Sequence, residues 1–128
     1  MIRNDGTYAL LVKALEGTQK RQEAMASNLA NVNTRDFKAN RVSFEEEMRR
    51  IVERNRTEGN NRSLARDLEK MKIRTEKDTV SRMNNDGNNV DVDREMSNMA
   101  ANQIFHNALV QQLNTKYQMI RMVISDGR

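Results

Sequence analysis

The side chains able to do chemistry in this 128-residue chain are few, and their spacing limits what they can do. There is no Cys, which excludes disulfides, thiolate metal sites and a cysteine nucleophile. His106 is the only histidine, so neither a His-based zinc cluster nor a two-histidine acid–base pair can form. Carboxylates alone can run acid–base catalysis, and the acidic cluster that stands out is Glu45-Glu46-Glu47. Ser43 and Glu46 have the Ser-x-x-Glu form of a capping box, so a capped helix start explains this cluster better than an active site does. Asp91, Asp93 and Glu95 crowd the start of a second long helix and suit the positive end of its dipole. The expectation is a non-enzymatic chain with no metal, no cofactor and no small-molecule substrate.

Positive charge is the other chemical signal. Residues 49–82 hold eleven Lys/Arg against six Asp/Glu, while the remainder, eleven against twelve, is nearly neutral; the net charge is +4. A basic segment can hold nucleic acid or an anionic membrane surface. Here the signs alternate closely, and no aromatic lies between Phe44 and Phe105 to stack on a base. A solvated mixed-sign segment is the better reading, and nucleic acid is not an expected partner. A basic helical nucleic-acid-binding or coiled-coil regulatory protein is the alternative.

The elements that carry these groups read as helices. Pro is absent and Gly is 5, whereas a sandwich or barrel needs a turn every ~8–12 residues. No apolar run approaches the ~18 residues of a membrane span. The first fifteen residues lack the apolar core of a cleavable signal peptide. Near the N-terminus Tyr8, Leu11, Leu15, Thr18, Gln22, Met25, Leu29 and Val32 follow a strict 3-4 spacing, an a/d heptad stripe. Asn4-Asp5-Gly6-Thr7 offers capping oxygens before it. The predicted helix over residues 8–32 is ~37 Å long.

The C-terminal stripe is longer: Met96, Met99, Gln103, His106, Val110, Leu113, Tyr117, Ile120 and Ile124. A second row, Phe105, Leu109, Met119, Met122 and Val123, widens it beyond what one neighbouring helix needs. A helix over residues 91–125, ~50 Å long, is predicted, with a stop at Asp126-Gly127-Arg128. His106, on this seam, reads as a packed interface residue. The nine Met read as core and subunit packing rather than as a promiscuous groove.

The middle is less regular. Residues 41–44 alternate as a short strand would, and Phe44, Met48, Ile51 and Val52 make the apolar face of a helix to about Arg54. Residues 57–62 read as a loop. Leu64, Leu68 and Met71 fit two helical turns, while Met71, Ile73 and Thr75 fit a strand. Residues 79–89 are rich in Asn and Ser and read as mobile. The fold class is mainly α: long N- and C-terminal helices packed as a coiled-coil-like core, with a short irregular, β-containing polar middle. Residues 1–36, 37–90 and 91–128 form the three divisions. With a hydrophobic fraction of 37% and ordering costs of roughly 1–2 kcal/mol per residue, such a chain calls for association, open stripes packing against other copies.

Two stretches carry a family resemblance. The run Met25-Ala26-Ser27-Asn28-Leu29-Ala30-Asn31-Val32-Asn33-Thr34-Arg35-Asp36-Phe37-Lys38-Ala39 resembles the N-terminal signature of bacterial flagellar rod and hook axial proteins. In that family the pattern reads Asn-Leu/Ile-Ala-Asn-x-x-Thr-Pro-Gly-Tyr/Phe-Lys/Gln-Ala. Asp86-Gly87-Asn88-Asn89-Val90-Asp91-Val92-Asp93-Arg94-Glu95-Met96 closely resembles the Asp-Gly-Asn-x-Val-Asp-x-Asp-Arg-Glu stretch of a basal-body rod member. The one departure is Arg35-Asp36 where the family has Pro-Gly, which leaves the turn type there open.

The resemblance implies a structural subunit of the flagellar basal-body proximal rod, in the periplasmic or cell-wall space. It also implies export by the flagellar type III apparatus without signal-peptide cleavage. Implied partners are other copies of the chain, other proximal rod proteins, and basal-body ring and export-gate components. Phe44-Glu45-Glu46-Glu47-Met48 is similar to a short export element, Phe-x-x-x-apolar, of early substrates, with Phe44 and Met48 its key positions. The expected assembly interface is Tyr8, Leu11, Leu15, Met25, Leu29 and Val32 with Met96, Met99, Phe105, Val110, Leu113, Tyr117, Ile120 and Ile124. Asn28, Asn31 and Asn33 are expected to turn the chain back so that the C-terminal helix can dock.

Overall fold

The computed structural model describes residues 5–59 and 61–127. Asn4 and Arg128, expected at helix ends, and Asn60, expected in the 57–62 loop, lie outside the described residues. Along the chain come α1 (Gly6–Ala30), β1 (Asn40–Val42), α2 (Glu45–Glu58), α3 (Asn61–Lys70), β2 (Thr75–Lys77) and α4 (Val92–Asp126). This is the mainly α architecture with long terminal helices that the heptad spacing predicts.

α1 begins at Asp5, whose carboxylate accepts a 2.9 Å bond from Thr7 N. It ends two residues before Val32 because Asn31 takes the C-cap, where its amide donates to Ser27 O at 2.8 Å. α1 is covered on two sides. α4 lies along one; α3, β1 and α2 lie along the other. Small residues permit the close approach: a Cβ added at Gly6 would meet Leu64, and one at Gly17 would meet the Phe44 ring at about 2.5 Å.

The polar middle segment supplies most of the core. Val42, Phe44, Met48, Ile51, Leu68, Met71 and Ile73 pack on Ala14 and Ala24 of α1, and α4 adds Leu109 alone. Both readings of the stretch around Met71 hold in part. α3 ends at Lys70, Met71 and Ile73 are buried in extended chain, and β2 then pairs antiparallel with β1 (Asn40↔Lys77, Arg41↔Glu76, Val42↔Thr75).

Two local expectations are corrected. Phe44 and not Ser43 is the N-cap of α2, with no side-chain cap bond, so no capping box forms. Glu45 turns to Arg21 (2.6 and 2.7 Å) and Glu46 to Arg49 (3.1 Å). The helix also runs past Arg54 to Glu58, and the expected 57–62 loop shrinks to a turn at Gly59, whose φ of 64° needs no side chain to be strained. Residues 79–89 run without helix or strand and are anchored at Ser81 by Asp78 and at the far end by Asn88 and Asn89.

Because Phe44 fills the space over Gly17, Gly17→Ala should lower unfolding free energy by roughly 1–3 kcal/mol. Gly59→Ala, with nothing within 4 Å, meets only left-handed backbone strain of about 1 kcal/mol. Urea denaturation of both variants checks the order.

Candidate assembly interface

The two stretches that carry the family resemblance meet in space. Asn28, fully buried on α1, accepts from Asn40 N (2.6 Å) through Oδ1, while Nδ2 donates to Asn40 O (3.0 Å) and to Glu95 Oε2 (3.1 Å). Glu95, fully buried on α4, takes the Arg41 guanidinium on its other oxygen. Arg41 reaches on to Asp78 Oδ2 at 3.4 Å. A buried carboxylate is tolerable only when charge and hydrogen bonds meet it together, and here both do.

Beside it, Asn88 Nδ2 lies 2.8, 3.0 and 2.7 Å from the carbonyls of Asn31, Val32 and Thr34, in the turn that follows α1. Asn88 Oδ1 accepts from Val90 N (2.8 Å), and Asn89 joins Ala39 N (2.7 Å) to Asp78 O (2.6 Å). Asp36 N donates to Asp86 O (3.0 Å). Asp36 itself has φ 58°, so Asp adopts the left-handed geometry that Gly has in the family pattern. Opposite it, Gly87 (φ 79°) leaves no room for a Cβ, which would lie 2.2 Å from Asp36 Oδ1.

The rest of the motif is peripheral. Ala30, Asn33, Thr34, Asp86, Asp93 and Arg94 are exposed, Leu29, Asn31 and Phe37 half-buried, and Val90 buried. The Phe37 ring lies 4.6 Å beneath Lys77 Nζ, and Asp91 caps α4 by accepting from Arg94 N at 3.1 Å.

Along the α1–α4 seam the contacts are largely polar. Asn102 Nδ2 donates to Thr18 O (2.9 Å) and Gln22 Oε1 (3.0 Å), and its Oδ1 is buried with no partner among the described residues. Thr18 Oγ1 lies 2.8 Å from His106 Nδ1. At the far end Tyr8 and Tyr117 meet edge to face with hydroxyls 3.3 Å apart, and Lys116 pairs with Asp5 at 2.5 Å. That bond to Lys116 holds the Asp5 carboxyl below its usual range.

The helix faces differ from the stripes read in the sequence. α4 turns the row Glu95, Met99, Asn102, His106, Leu109, Leu113 and Ile120 toward α1. Of the predicted interface residues, Met25 is buried, and Tyr8, Leu11, Leu15, Leu29, Val32, Met99, Leu113 and Ile120 are half-buried. Met96, Phe105, Val110, Tyr117 and Ile124 are exposed, as are Ile104, Met119, Met122 and Val123. Residues 96–115 contain no Asp, Glu, Lys or Arg, so over this stretch the outer side of α4 is uncharged, with Met96, Ile104, Phe105 and Val110 standing in solvent. Depletion of charge around exposed aromatics and Met marks interface cores.

Phe44 and Met48, the candidate export element, are 1% and 8% exposed, so both are covered in the folded chain. Among the basic residues of the middle, Arg49, Arg50 and Arg54 pair locally with Glu46, Glu47 and Asp67. Among the described residues no group of His, Asp and Glu could hold a metal ion, and no helix is long and apolar enough to cross a membrane. Arg41 and Asn89 were missed as junction residues. Glu95 reads in the sequence as a dipole partner and as part of the family stretch but not as a buried residue, although its 4-3 spacing to Met99, Asn102 and His106 carries the signal for burial.

An elongated α-helical structural protein is the class that this arrangement defines. Residues 10–38 match the family model described as flagella basal body rod protein. The chain is 34% identical over 127 residues to the flagellar basal body rod protein FlgB of Bacillus subtilis, covering 96% of each. It is 32% identical over 132 residues to the Proteus mirabilis (strain HI4320) FlgB, again 96% of each. To the FlgB of Borrelia hermsii it is 32% identical over 114 residues, 81% of this chain and 84% of that one. The chain belongs to the FlgB family of flagellar basal body rod proteins.

Two variants test the junction. Asp36→Gly should raise stability by ~0.5–1 kcal/mol, since Gly takes a positive φ without penalty; thermal unfolding reads it. The hydroxyl and backbone of Ser81 hold the Asp78 carboxyl at about 2, below the 3.8 of the free side chain. A depressed folded value stabilises above the unfolded pKa and is lost as pH falls through the folded one. Asp78→Asn should therefore cost on the order of 1–2 kcal/mol at pH 7, and its gap to wild type should close between pH 4 and pH 2 in urea titrations.

Proposed function

We propose that the chain is a structural subunit of the proximal rod, assembling through its terminal helices after export by the flagellar type III apparatus. Its partners on this reading are further copies of itself, other proximal rod proteins, and ring and export-gate components. The role is mechanical, with no catalytic step, cofactor, small-molecule substrate or nucleic acid.

The observation that carries the reading is the uncharged, apolar outer side of α4. In a chain that is 31% charged, twenty consecutive residues of a solvent-facing helix carry no charge. The surface area points the same way. The chain exposes 9208 Å², whereas a compact monomer of 14.9 kDa exposes roughly 7,000 Å². The excess is of the size that subunit interfaces remove. The burial of Phe44 and Met48 bears on export: if Phe44-x-x-x-Met48 is the element read, it is read on a chain in which Phe44 has not yet packed on Gly17.

Ile104→Asp and Met119→Asp alter only exposed positions. Each should leave the thermal midpoint of the isolated chain within a few degrees of wild type, yet abolish motility and recovery in basal-body fractions. Export is read separately, by comparing supernatants from cells with and without a working export gate and measuring the intact mass. A motile Ile104→Asp strain, or a wild-type chain that stays in the cytoplasm of both strains, would reject the proposal.

A further inference from the structure

The two-stranded sheet leaves one edge open. On β1, Asn40 turns its N–H and C=O toward α1, where Asn28 takes both (2.6 and 3.0 Å), and the carbonyl of Val42 accepts from Arg21 Nε at 3.2 Å. In an antiparallel pair, alternate residues turn their backbone groups toward the partner strand. Arg41 and Glu76 therefore exchange the bonds between the strands, in step with Asp78 N, which donates to Ala39 O at 2.8 Å. Thr75 and Lys77, opposite Val42 and Asn40, turn their N–H and C=O the other way, away from α1. All three residues of β2 are exposed, and β1 is the element it packs on. A two-stranded ribbon is marginal in water, and an open edge is a template for a further strand.

We propose that two copies of the free chain join through β2, edge to edge, into one four-stranded sheet with Thr75 on its two-fold axis. The occupant is a second copy because the edge complements itself in charge. Arg74 and Glu76 are exposed, lie two residues apart and so share a face, and neither is held in a salt bridge among the described residues. Set antiparallel about Thr75, the edge places Arg74 opposite Glu76 of the second copy, and Glu76 opposite the second copy's Arg74. Thr75 then meets Thr75 as a hydrogen-bonded pair, which its outward N–H and C=O require. A register centred one residue later would set Glu76 against Glu76, so charge selects the first. A patch that meets its own copy about a two-fold axis closes on itself. This contact therefore gives a dimer of the unassembled chain, separate from the open array of the rod reading.

The chain has no Cys, so a thiol placed on the axis reports without background. Residues of a hydrogen-bonded pair lie about 5.5 Å apart at Cα, within disulfide range. Purified full-length Thr75→Cys should therefore oxidise to a dimer, whereas Val80→Cys, exposed but beyond the edge, should stay monomeric. Wild type followed by sedimentation up to ~1 mM chain should pass from monomer to dimer. Thr75→Pro deletes only an outward N–H, so it should remain monomeric with unchanged helix content. Arg74→Glu and Glu76→Arg each set like charges opposite one another and should weaken dimerisation by roughly tenfold. The double variant, Arg74→Glu with Glu76→Arg, should recover it, which a folding defect would not allow. A wild type that is monomeric throughout, a Thr75→Cys chain that oxidises no faster than Val80→Cys, a dimer that survives in Thr75→Pro, or a double variant as weak as either single one would overturn the proposal. All of these measurements use the free chain, so their failure leaves the rod reading standing; that reading fails on absence from basal bodies.

Discussion

A carboxylate with no exposed surface has to be met by a cation and by hydrogen bonds, and Glu95 finds both at the single place where α1, β1 and α4 converge. Arg41 comes from β1 and Asn28 from α1, so three elements are tied to one side chain. Sliding α4 by one residue would rotate Glu95 by about 100° and carry its buried carboxylate away from both Arg41 and Asn28. The neighbouring amides reinforce the same register. Asn88 holds the carbonyls of the turn after α1, and Asn89 ties the chain to Asp78 beside β2. Orientation of the long helix is thus set by polar groups, whose partners are directional, and not by apolar contact, which tolerates slippage.

That choice has a consequence for the rest of α4. Because Glu95, Asn102 and His106 occupy the side turned to α1, most of the helix's large apolar side chains are displaced to the outer side. α1 cannot take them either, since its other side is already covered by Phe44, Leu68, Met71 and Ile73. The protomer therefore completes one core, between α1 and the middle segment, and leaves a second apolar surface open. The polar seam and the exposed row are two aspects of one packing decision.

This also explains what could be read from the sequence. The long helices, their caps at Asp5 and Asp91 and the mainly α class follow from spacing and side-chain type. The facing of α4 does not. Two rows that share Met99, His106, Leu113 and Ile120 run along it: Met96-Met99-Gln103-His106-Val110-Leu113-Tyr117-Ile120-Ile124, and Glu95-Met99-Asn102-His106-Leu109-Leu113-Ile120. Hydrophobicity favours the first, yet α1 offers Asn28, Thr18 and Gln22, which only polar partners satisfy. Periodicity reports that a row is buried somewhere and is silent on whether the burying surface belongs to the same chain. In the middle, Phe44, Met48 and Ile51 were legible as a helix face. That this face packs on α1 depended on Gly17 and Ala14, residues whose signal is the absence of bulk.

The two cores separate what one copy can do from what needs a neighbour. α1 and the middle segment supply nearly all of the core in which Phe44 and Leu68 are almost completely buried, with Leu109 the one fully buried α4 side chain in it. α4 beyond Leu109 has little besides Leu113, Ile120, the Tyr8–Tyr117 edge contact and the Lys116–Asp5 pair. Such contacts are individually weak and solvent-screened. A long helix held firmly at its start and loosely toward its end gains order from any surface that covers its outer side. On the proposed assembly, the free energy of association would fall on the element the protomer leaves least secured, so that assembly and completion of the fold become one event on α4. The buried junction at Glu95 fixes the direction in which the open end points.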